Sequence, residues 1–470
     1  MIPVFTFAGQ RVGVMGLGKS GLSAAAALKA GGASVLVWDD KPEQRKAATA
    51  AGWALLDPEA HRLDVAALIW SPGVPHSLPK PHALAVKARA QNIPMICDVD
   101  LLARAQQSSS FIGITGTNGK STTTVLTAHI FKQAGRPIAV GGNLGTPALD
   151  LKALGGLGTY VLELSSYQLE LVPSLSLETA VFLNITPDHL ERHGSMDGYV
   201  AAKRRIFEKQ RHPRAAIIGI DDSYSASLRD QLVRGGGHTV IPISVKQAVP
   251  GGVYVENGIL IDATDRRPRE IADLRTIATL PGAHNWQNAA AASAAALSQG
   301  IAGPIIAAAL KSFKGLPHRQ ELVATIKGVP FINDSKATNA DAAEKALRCY
   351  ENIYWIAGGI AKEGGIASLA PLFPRIRHAF LIGDAADDFA DALEGKVPHD
   401  LYEDLETAIE DAGRRAFKDN KPGAVVLLSP ACASFDMFKN FEERGDRFRT
   451  EVQHLWPQTT SSSSTESLNP

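Results

Sequence analysis

The chain has 470 residues, 45% of them hydrophobic, which is enough apolar material for several cores, so about three domains are expected. Lys and Arg total 48 and Asp and Glu total 48, which excludes the broad basic surface that a phosphate backbone requires and argues against nucleic acid as a partner. Three scattered cysteines (Cys97, Cys349, Cys432) fit neither a disulfide framework nor a metal spacing, and no run of ~18 apolar residues offers a membrane span; a cytoplasmic protein with small buried thiols is expected.

The first hundred residues alternate short β-branched runs with Ala-rich helical stretches, at 12–15, 20–30, 35–38 and 68–70, as a parallel sheet with covering helices does. Gly16, Gly18 and Gly21 form G-x-G-x-x-G after the first run, with Lys19 and Ser20 in the same turn, and Asp39 and Asp40 close the next run about 20 residues later. Three readings stand: a dinucleotide fold, a tight turn serving only packing, or a helix N-terminus that holds the diphosphate of a nucleotide-linked substrate. The third fits best beside the phosphate loop described next, with Asp39 or Asp40 meeting ribose or base. Ser71-Pro72-Gly73-Val74 ends the following run at the same sheet edge, so Ser71 and Gly73 are expected to line that site. Residues 104–110 read as a polar linker.

Thr115-Gly116-Thr117-Asn118-Gly119-Lys120-Ser121-Thr122 follows an apolar run at 111–114 and precedes a helical segment. Glycines there let backbone N–H groups turn toward a polyphosphate, Lys120 reaches the terminal phosphates and the Ser121 hydroxyl suits magnesium. The loop is a variant, because Ile114 stands where the strict pattern wants glycine and Gly113 falls one place early. Glu163 ends an apolar strand and would complete magnesium coordination, directly or through water; a solvated strand edge is the plain alternative. His189 is delivered the same way by Asn184-Ile185-Thr186-Pro187-Asp188-His189. Lys203, on a helix in Ala201-Ala202-Lys203-Arg204-Arg205, reads by composition alone as one member of an exposed basic face. Gly282-Ala283-His284-Asn285-Trp286-Gln287-Asn288 opens a helix whose amides cap it or hold an adenine. Arg319 lies in the breaker-rich hinge that ends this part of the chain, and Asn285 and Arg319 are both candidates for nucleotide contact.

Strand-like runs at 331–333, 353–356, 379–382 and 425–428 give a third α/β region. Asn333-Asp334-Ser335-Lys336-Ala337-Thr338-Asn339 ends one run, Gly358-Gly359-Ile360-Ala361-Lys362 another, and Leu428-Ser429-Pro430-Ala431-Cys432-Ala433-Ser434 a third, leading to Asn440-Phe441-Glu442-Glu443-Arg444-Gly445. Hydroxyls, backbone donors and two lysines at strand ends suit a small dicarboxylate, although each segment singly is an ordinary helix cap. The expected domains are 1–105, 111–313 and 319–457, with a Ser/Thr-rich disordered tail over 458–470.

Taken together, these segments resemble the Mur ligases, ATP-dependent enzymes that build the peptide of bacterial cell-wall precursors; the likeness runs from about residue 12 to residue 445. The resemblance implies an α/β protein of three domains: N-terminal Rossmann-like, central P-loop ATPase and C-terminal Rossmann-like. It implies ATP and magnesium, two ions, and a carbamylated Lys203 that turns a cation into a metal-binding group beside Ser121, Glu163 and His189. It also implies that Asn143 meets a muramoyl substrate, that Asn285, Arg319 and Asp334 hold ATP, and that Lys336, Thr338, Lys362, Ser434 and the Phe441 backbone hold D-glutamate. The implied partners are UDP-N-acetylmuramoyl-L-alanine, ATP and D-glutamate, bound by a monomer. Two rivals stay open: a folylpolyglutamate-type synthase, which does not need the N-terminal glycine fingerprint, and an NAD-dependent oxidoreductase, which leaves Lys120 without work.

Overall fold

The computed structural model describes residues 1–265 and 267–456, so the expected tail at 458–470 lies outside the described residues. The chain forms two compact units, Met1–Ile277 with Ala283–Phe313, and Ala278–Gly282 with the described residues from Lys314 on. Three sheets organise them, two in the first unit and one in the second.

The first sheet has five parallel strands in the order Ala54–Leu55, Ser34–Trp38, Arg11–Met15, Leu68–Trp70 and Met95–Ile96. The chain steps outward on one side of Arg11–Met15 and then resumes on the other. The loops after Arg11–Met15 and Leu68–Trp70 therefore diverge at a switch point, where open α/β sheets bind ligands. Helix Lys19–Ala30 lies close on this sheet because the side chains it buries are small, Ala24, Ala25 and Ala27 with Leu28.

Nine strands form the second sheet, with Ser110–Thr115 flanked on one side by Leu177–Phe182 and on the other by Thr159–Glu163, both parallel to it. All but the first residue of Ser110–Thr115 are buried, the continuous apolar run typical of a strand covered on both faces. The outer half of the sheet, from Gln210–Gly219 to Arg269–Asp273, escapes the sequence reading. One signal was present there: Asn257-Gly258 joins Val253–Glu256 to Ile259–Asp262, with φ of 51° and 80°, the two-residue turn that closes a hairpin.

The third sheet runs Glu321–Ile326, Val329–Asn333, Val425–Leu428, Ile353–Gly358, Ile376–Ile382 and His399–Tyr402. Its first strand is antiparallel, joined through Lys327-Gly328, and the others are parallel. Alternation divides Ile353–Gly358 between two cores: Trp355 and Ala357 pack with Leu347, Phe373 and Phe389, while Tyr354 and Ile356 pack with Ile409, Phe448 and Val452. Val425–Leu428 lies between Val329–Asn333 and Ile353–Gly358, although it comes last in the chain, so a second switch point falls there.

A Cβ placed on Gly21 would stand 1.8 Å from the carbonyl oxygen of Gly16, backbone that cannot yield cheaply. Gly21→Ala is expected to destabilise the first sheet by about 1–3 kcal/mol, read as a lower denaturant midpoint.

Candidate active site

Between strand Ser110–Thr115 and helix Lys120–Gln133 the phosphate loop turns through two left-handed glycines, Gly116 at φ 156° and Gly119 at φ 83°. A Cβ on Gly119 would meet Asn288 Oδ1 at 2.2 Å. The loop is held from the neighbouring strand end: Asn118 N donates to Asn184 Oδ1 at 2.9 Å, Thr117 N to Asn184 O at 2.9 Å, and Thr186 N to Thr117 Oγ1 at 3.1 Å. Asn184 in turn donates to Gln287 Oε1 at 2.7 Å. Asn285 accepts from Asn288 at 3.2 Å and Asn288 accepts from Thr123 at 3.2 Å, so the opening of helix Gly282–Ser298 backs the loop. Lys120 folds over the loop, its amine donating to the carbonyls of Gly116 at 3.0 Å and Thr117 at 2.9 Å.

Glu163 ends its strand buried at 3% exposure, which rules out the solvated edge. Its two carboxylate oxygens accept from Ser121 Oγ at 2.7 Å and Asn143 Nδ2 at 2.8 Å, and the Asn143 backbone N–H donates to the Glu163 carbonyl at 2.9 Å. Thus Ser121 from the first turn of helix Lys120–Gln133, Glu163 from a strand end and Asn143 from the loop after strand Ile138–Gly142 meet directly.

Lys203 is not on an exposed face. It lies in helix Met196–Arg204 at 1% exposure, its amine donating to the Gly116 carbonyl at 2.8 Å and facing Thr115 Oγ1 at 3.4 Å, 4.8 Å from the Tyr199 ring centre. Burial above all, then repulsion from Lys120, holds its pKa well below the usual lysine range, against the pull of Asp188 and Glu163. A neutral amine among oxygen acceptors is the form that takes up CO2.

His189 stands half-exposed at φ 53° as the cap of helix Leu190–His193, with neighbours Asp188 at 3.5 Å, Glu191 at 4.0 Å and the Tyr167 ring at 5.2 Å. Among the described residues no group of three His, Cys, Asp or Glu is arranged to hold a metal. A magnesium site on this loop would therefore need the Ser121 hydroxyl and a modified Lys203 beside Glu163. Hard oxygen donors of that kind fit magnesium.

In the first sheet Gly16 has φ 90° and a Cβ on it would lie 2.5 Å from Ser71 Cβ, so the two loops touch. A Cβ on Gly18 would meet nothing within 4 Å, leaving the first turn of helix Lys19–Ala30 open to a ligand. Gly73 is equally open. Asp39 braces the loop, accepting from Leu17 N at 2.8 Å and from Lys41 N at 2.9 Å, whereas Asp40 faces His82 at 3.1 Å. Ser20 lies against the buried Asp98.

In the second unit Asp334 follows its strand, 7% exposed, accepting from Ser429 Oγ at 2.9 Å and Gln320 N at 3.1 Å. Burial raises its pKa to about 7, against those hydrogen bonds and nearby Arg319. The Lys336 amine sits 3.7 Å from the Phe441 ring centre, and Thr338 N donates to the Lys336 carbonyl at 2.9 Å. Ser434 is buried and Lys362 exposed, each on the loop that follows its strand.

Arg444 organises this edge, although sequence reasoning gave it no role. At 1% exposure its guanidinium donates to Ser335 Oγ at 3.0 Å, Ser335 O at 2.9 Å and Cys432 O at 3.0 Å, tying two of the strand-end loops together. The adjacent Gly445 was the available signal: a Cβ there would meet His318 at 2.1 Å, so this helix has to approach closely. Cys97 and Cys432 are buried and Cys349 is half-buried; all three are free.

Residues 114–296 match the family model described as Mur ligase middle domain, and residues 318–432 that described as Mur ligase, glutamate ligase domain. The chain is 57% identical over 461 residues to UDP-N-acetylmuramoylalanine--D-glutamate ligase of Rhodospirillum rubrum, covering 97% of each. It is 55% identical over 454 residues to the protein of the same name from Paramagnetospirillum magneticum, covering 96% of this chain and 98% of that one. In fold it is similar to a UDP-N-acetylmuramate-alanine ligase from Thermotoga maritima, with a TM-score of 0.57, 19% identity, and coverage of 95% of this chain and 100% of that one. The chain belongs to the Mur ligase family. That family carries out ATP-dependent ligation in peptidoglycan precursor synthesis. Among the described residues no helix is long and apolar enough to cross a membrane.

Because the Asp334 carboxyl takes its proton more tightly in the folded chain, with a pKa of about 7, than in an unfolded one, its contribution to stability is full below about pH 4 and is lost as pH rises through about 7. Asp334→Asn should remove that dependence. Urea denaturation of both forms from pH 5 to 8 is expected to show stability curves that converge or cross, their difference changing by up to ~1.4 kcal/mol per pH unit.

Proposed function

We propose that this chain joins D-glutamate to UDP-N-acetylmuramoyl-L-alanine at the expense of ATP, releasing ADP and phosphate. The observation that carries the reading is the buried junction of the phosphate loop, where Ser121, Glu163 and Asn143 meet and the Lys203 amine lies on the loop carbonyl. The amino-acid and UDP-linked substrates are those in the name of the Rhodospirillum rubrum relative, which covers 97% of this chain at 57% identity. ATP and a UDP-linked substrate put the reaction in the cytoplasm.

The first step brings an anion against an anion: the alanine carboxylate attacks the γ-phosphorus of ATP, ADP leaves, and an acyl phosphate results. Lys120 offsets that repulsion, and the backbone donors of the Gly116–Gly119 turn hold the phosphates in line. Ser121, Glu163, His189 and Lys203 as its carbamate would hold magnesium, which supplies neutralisation of the phosphate charge. Asn143, fixed on Glu163, orients the acceptor. In the second step the deprotonated amine of D-glutamate attacks the acyl carbon, and the tetrahedral adduct collapses to the amide and phosphate. Lys336, Thr338, Lys362, Ser434 and the Phe441 N–H would grip the two carboxylates. Gly16, Gly18 and the first turn from Lys19 would take the UDP diphosphate, with Ser71, Gly73 and Asp40 around the nucleoside. Asn285, Arg319 and Asp334 would hold ATP.

The test is phosphate release with ATP, magnesium and the UDP-linked acceptor, comparing D-glutamate, L-glutamate and no amino acid. Release with a new amide product is expected only with D-glutamate, and none from Lys120→Ala; turnover indifferent to the amino acid would contradict the reading. Lys203→Ala is expected to lose at least ~100-fold in kcat and to regain part of it with added formate or acetate, which restores a carboxylate in the space left.

A further inference from the structure

Apart from the phosphate loop, a second polar network crosses from the first sheet to the second within the same unit. The loop after Leu68–Trp70 continues through Leu78, and Arg192, in the one-turn helix Leu190–His193, grips it. Its guanidinium donates to the Leu78 carbonyl at 2.8 Å, the Ser77 hydroxyl at 3.1 Å and the Val74 carbonyl at 3.5 Å, and lies 5.2 Å from the Tyr167 ring centre. Arg192 is 5% exposed.

Beside this contact, Glu170 sits between two histidines, 3.0 Å from His76 Nε2 and 3.7 Å from His193 Nδ1. Arginine only donates, so Arg89 at 3.0 Å from His76 Nδ1 fixes the tautomer of His76 with its proton on Nε2, the nitrogen nearer Glu170. His193 reaches Ser166 Oγ at 2.9 Å, three residues beyond Glu163. Apolar side chains would join two sheets at no greater cost than a buried arginine and this chain of polar groups. What the polar version adds is a fixed register between the loop and the helix. That register matters because His189 caps the same helix at φ 53°, a backbone region that a non-glycine residue keeps only when its surroundings impose it.

We propose that Arg192, supported by Glu170 with His76 and His193, is a positioning residue that couples occupancy of the loop at Ser71–Val74 to the placement of His189, whose ring lies 6.4 Å from that of Tyr199, the residue whose hydroxyl is 3.4 Å from Thr117 Oγ1 of the phosphate loop. The proposal rests on the reading of that loop as part of the UDP-substrate site. No reacting atom touches Arg192; it acts through the helix that it holds.

Hydrogen–deuterium exchange of the full chain, with and without UDP-N-acetylmuramoyl-L-alanine, tests the coupling without requiring turnover. In the unaltered chain the ligand is expected to protect residues 71–78 and 189–193 together. In Arg192→Met it should protect 71–78 alone, and Arg192→Lys, which keeps a cation and a donor, should restore part of the second protection. Kinetically, Arg192→Met is expected to lower kcat by about 10- to 100-fold while KM for ATP and D-glutamate stays within about twofold. Should Arg192→Met fail to fold, His76→Asn cuts the same chain from the first sheet and should give the same uncoupled protection. Protection of 189–193 that survives these substitutions overturns the proposal, as does its absence in the unaltered chain while 71–78 is protected. Protection of neither segment overturns the reading of the loop as the ligand site and the coupling with it; phosphate release by the unaltered chain reports separately on the activity.

Discussion

Burying a lysine against the phosphate loop is the constraint from which the rest of this site follows. The hydrogen-bond partners of the Lys203 amine are a carbonyl and a hydroxyl rather than a carboxylate, and the more distant pull of Asp188 and Glu163 offsets only part of the cost of desolvating a cation. The chain meets that cost by favouring the neutral amine, with Lys120 pushing the same way. Glu163 occupies the complementary position, its oxygens already oriented by Ser121 and Asn143. The loop is thus framed by groups that burial and hydrogen bonds hold in place before any substrate arrives, the preorganisation that the proposed transfer between two anions needs.

The same geometric solution recurs in each sheet. Parallel strands deliver their following loops to one edge, and wherever the chain order reverses, neighbouring loops diverge and leave room for a ligand. Gly16 against Ser71 in the first sheet and Asp334 against Ser429 in the third are the points of contact between such loops. In the third sheet a buried arginine, Arg444, fixes the spacing of two of those loops from below. Two long buried side chains, Arg192 and Arg444, hold backbone at these edges.

Much of this was legible in the residues because glycines, strand ends and hydroxyls announce loops locally. The phosphate loop, Glu163 and the three α/β regions are visible from spacing and apolar runs. The burial of Lys203 is not, since an Ala-Ala-Lys-Arg-Arg helix gives no hint of which basic residue turns inward; only packing of Tyr199 and the loop decides that. The outer strands from Gln210–Gly219 onward hide for a different reason: Pro213 and Pro242 lie within strands, and polar residues interrupt the runs, so pairing rather than propensity makes them strands. The Asn257-Gly258 and Lys327-Gly328 turns, with both residues at positive φ, were the local signals that would have revealed two of the hairpins.

The proposed ligation passes an oxygen directly from the acceptor carboxylate to phosphate. The most direct measurement uses UDP-N-acetylmuramoyl-L-alanine carrying ¹⁸O in both alanine carboxylate oxygens, with ATP, magnesium and D-glutamate, followed by mass analysis of the products. An acyl phosphate route predicts one ¹⁸O in each released phosphate and the other retained in the new amide carbonyl. Phosphate without label, released at the same rate, would mean that water rather than the substrate carboxylate receives the phosphoryl group, and would contradict the mechanism assigned to this site.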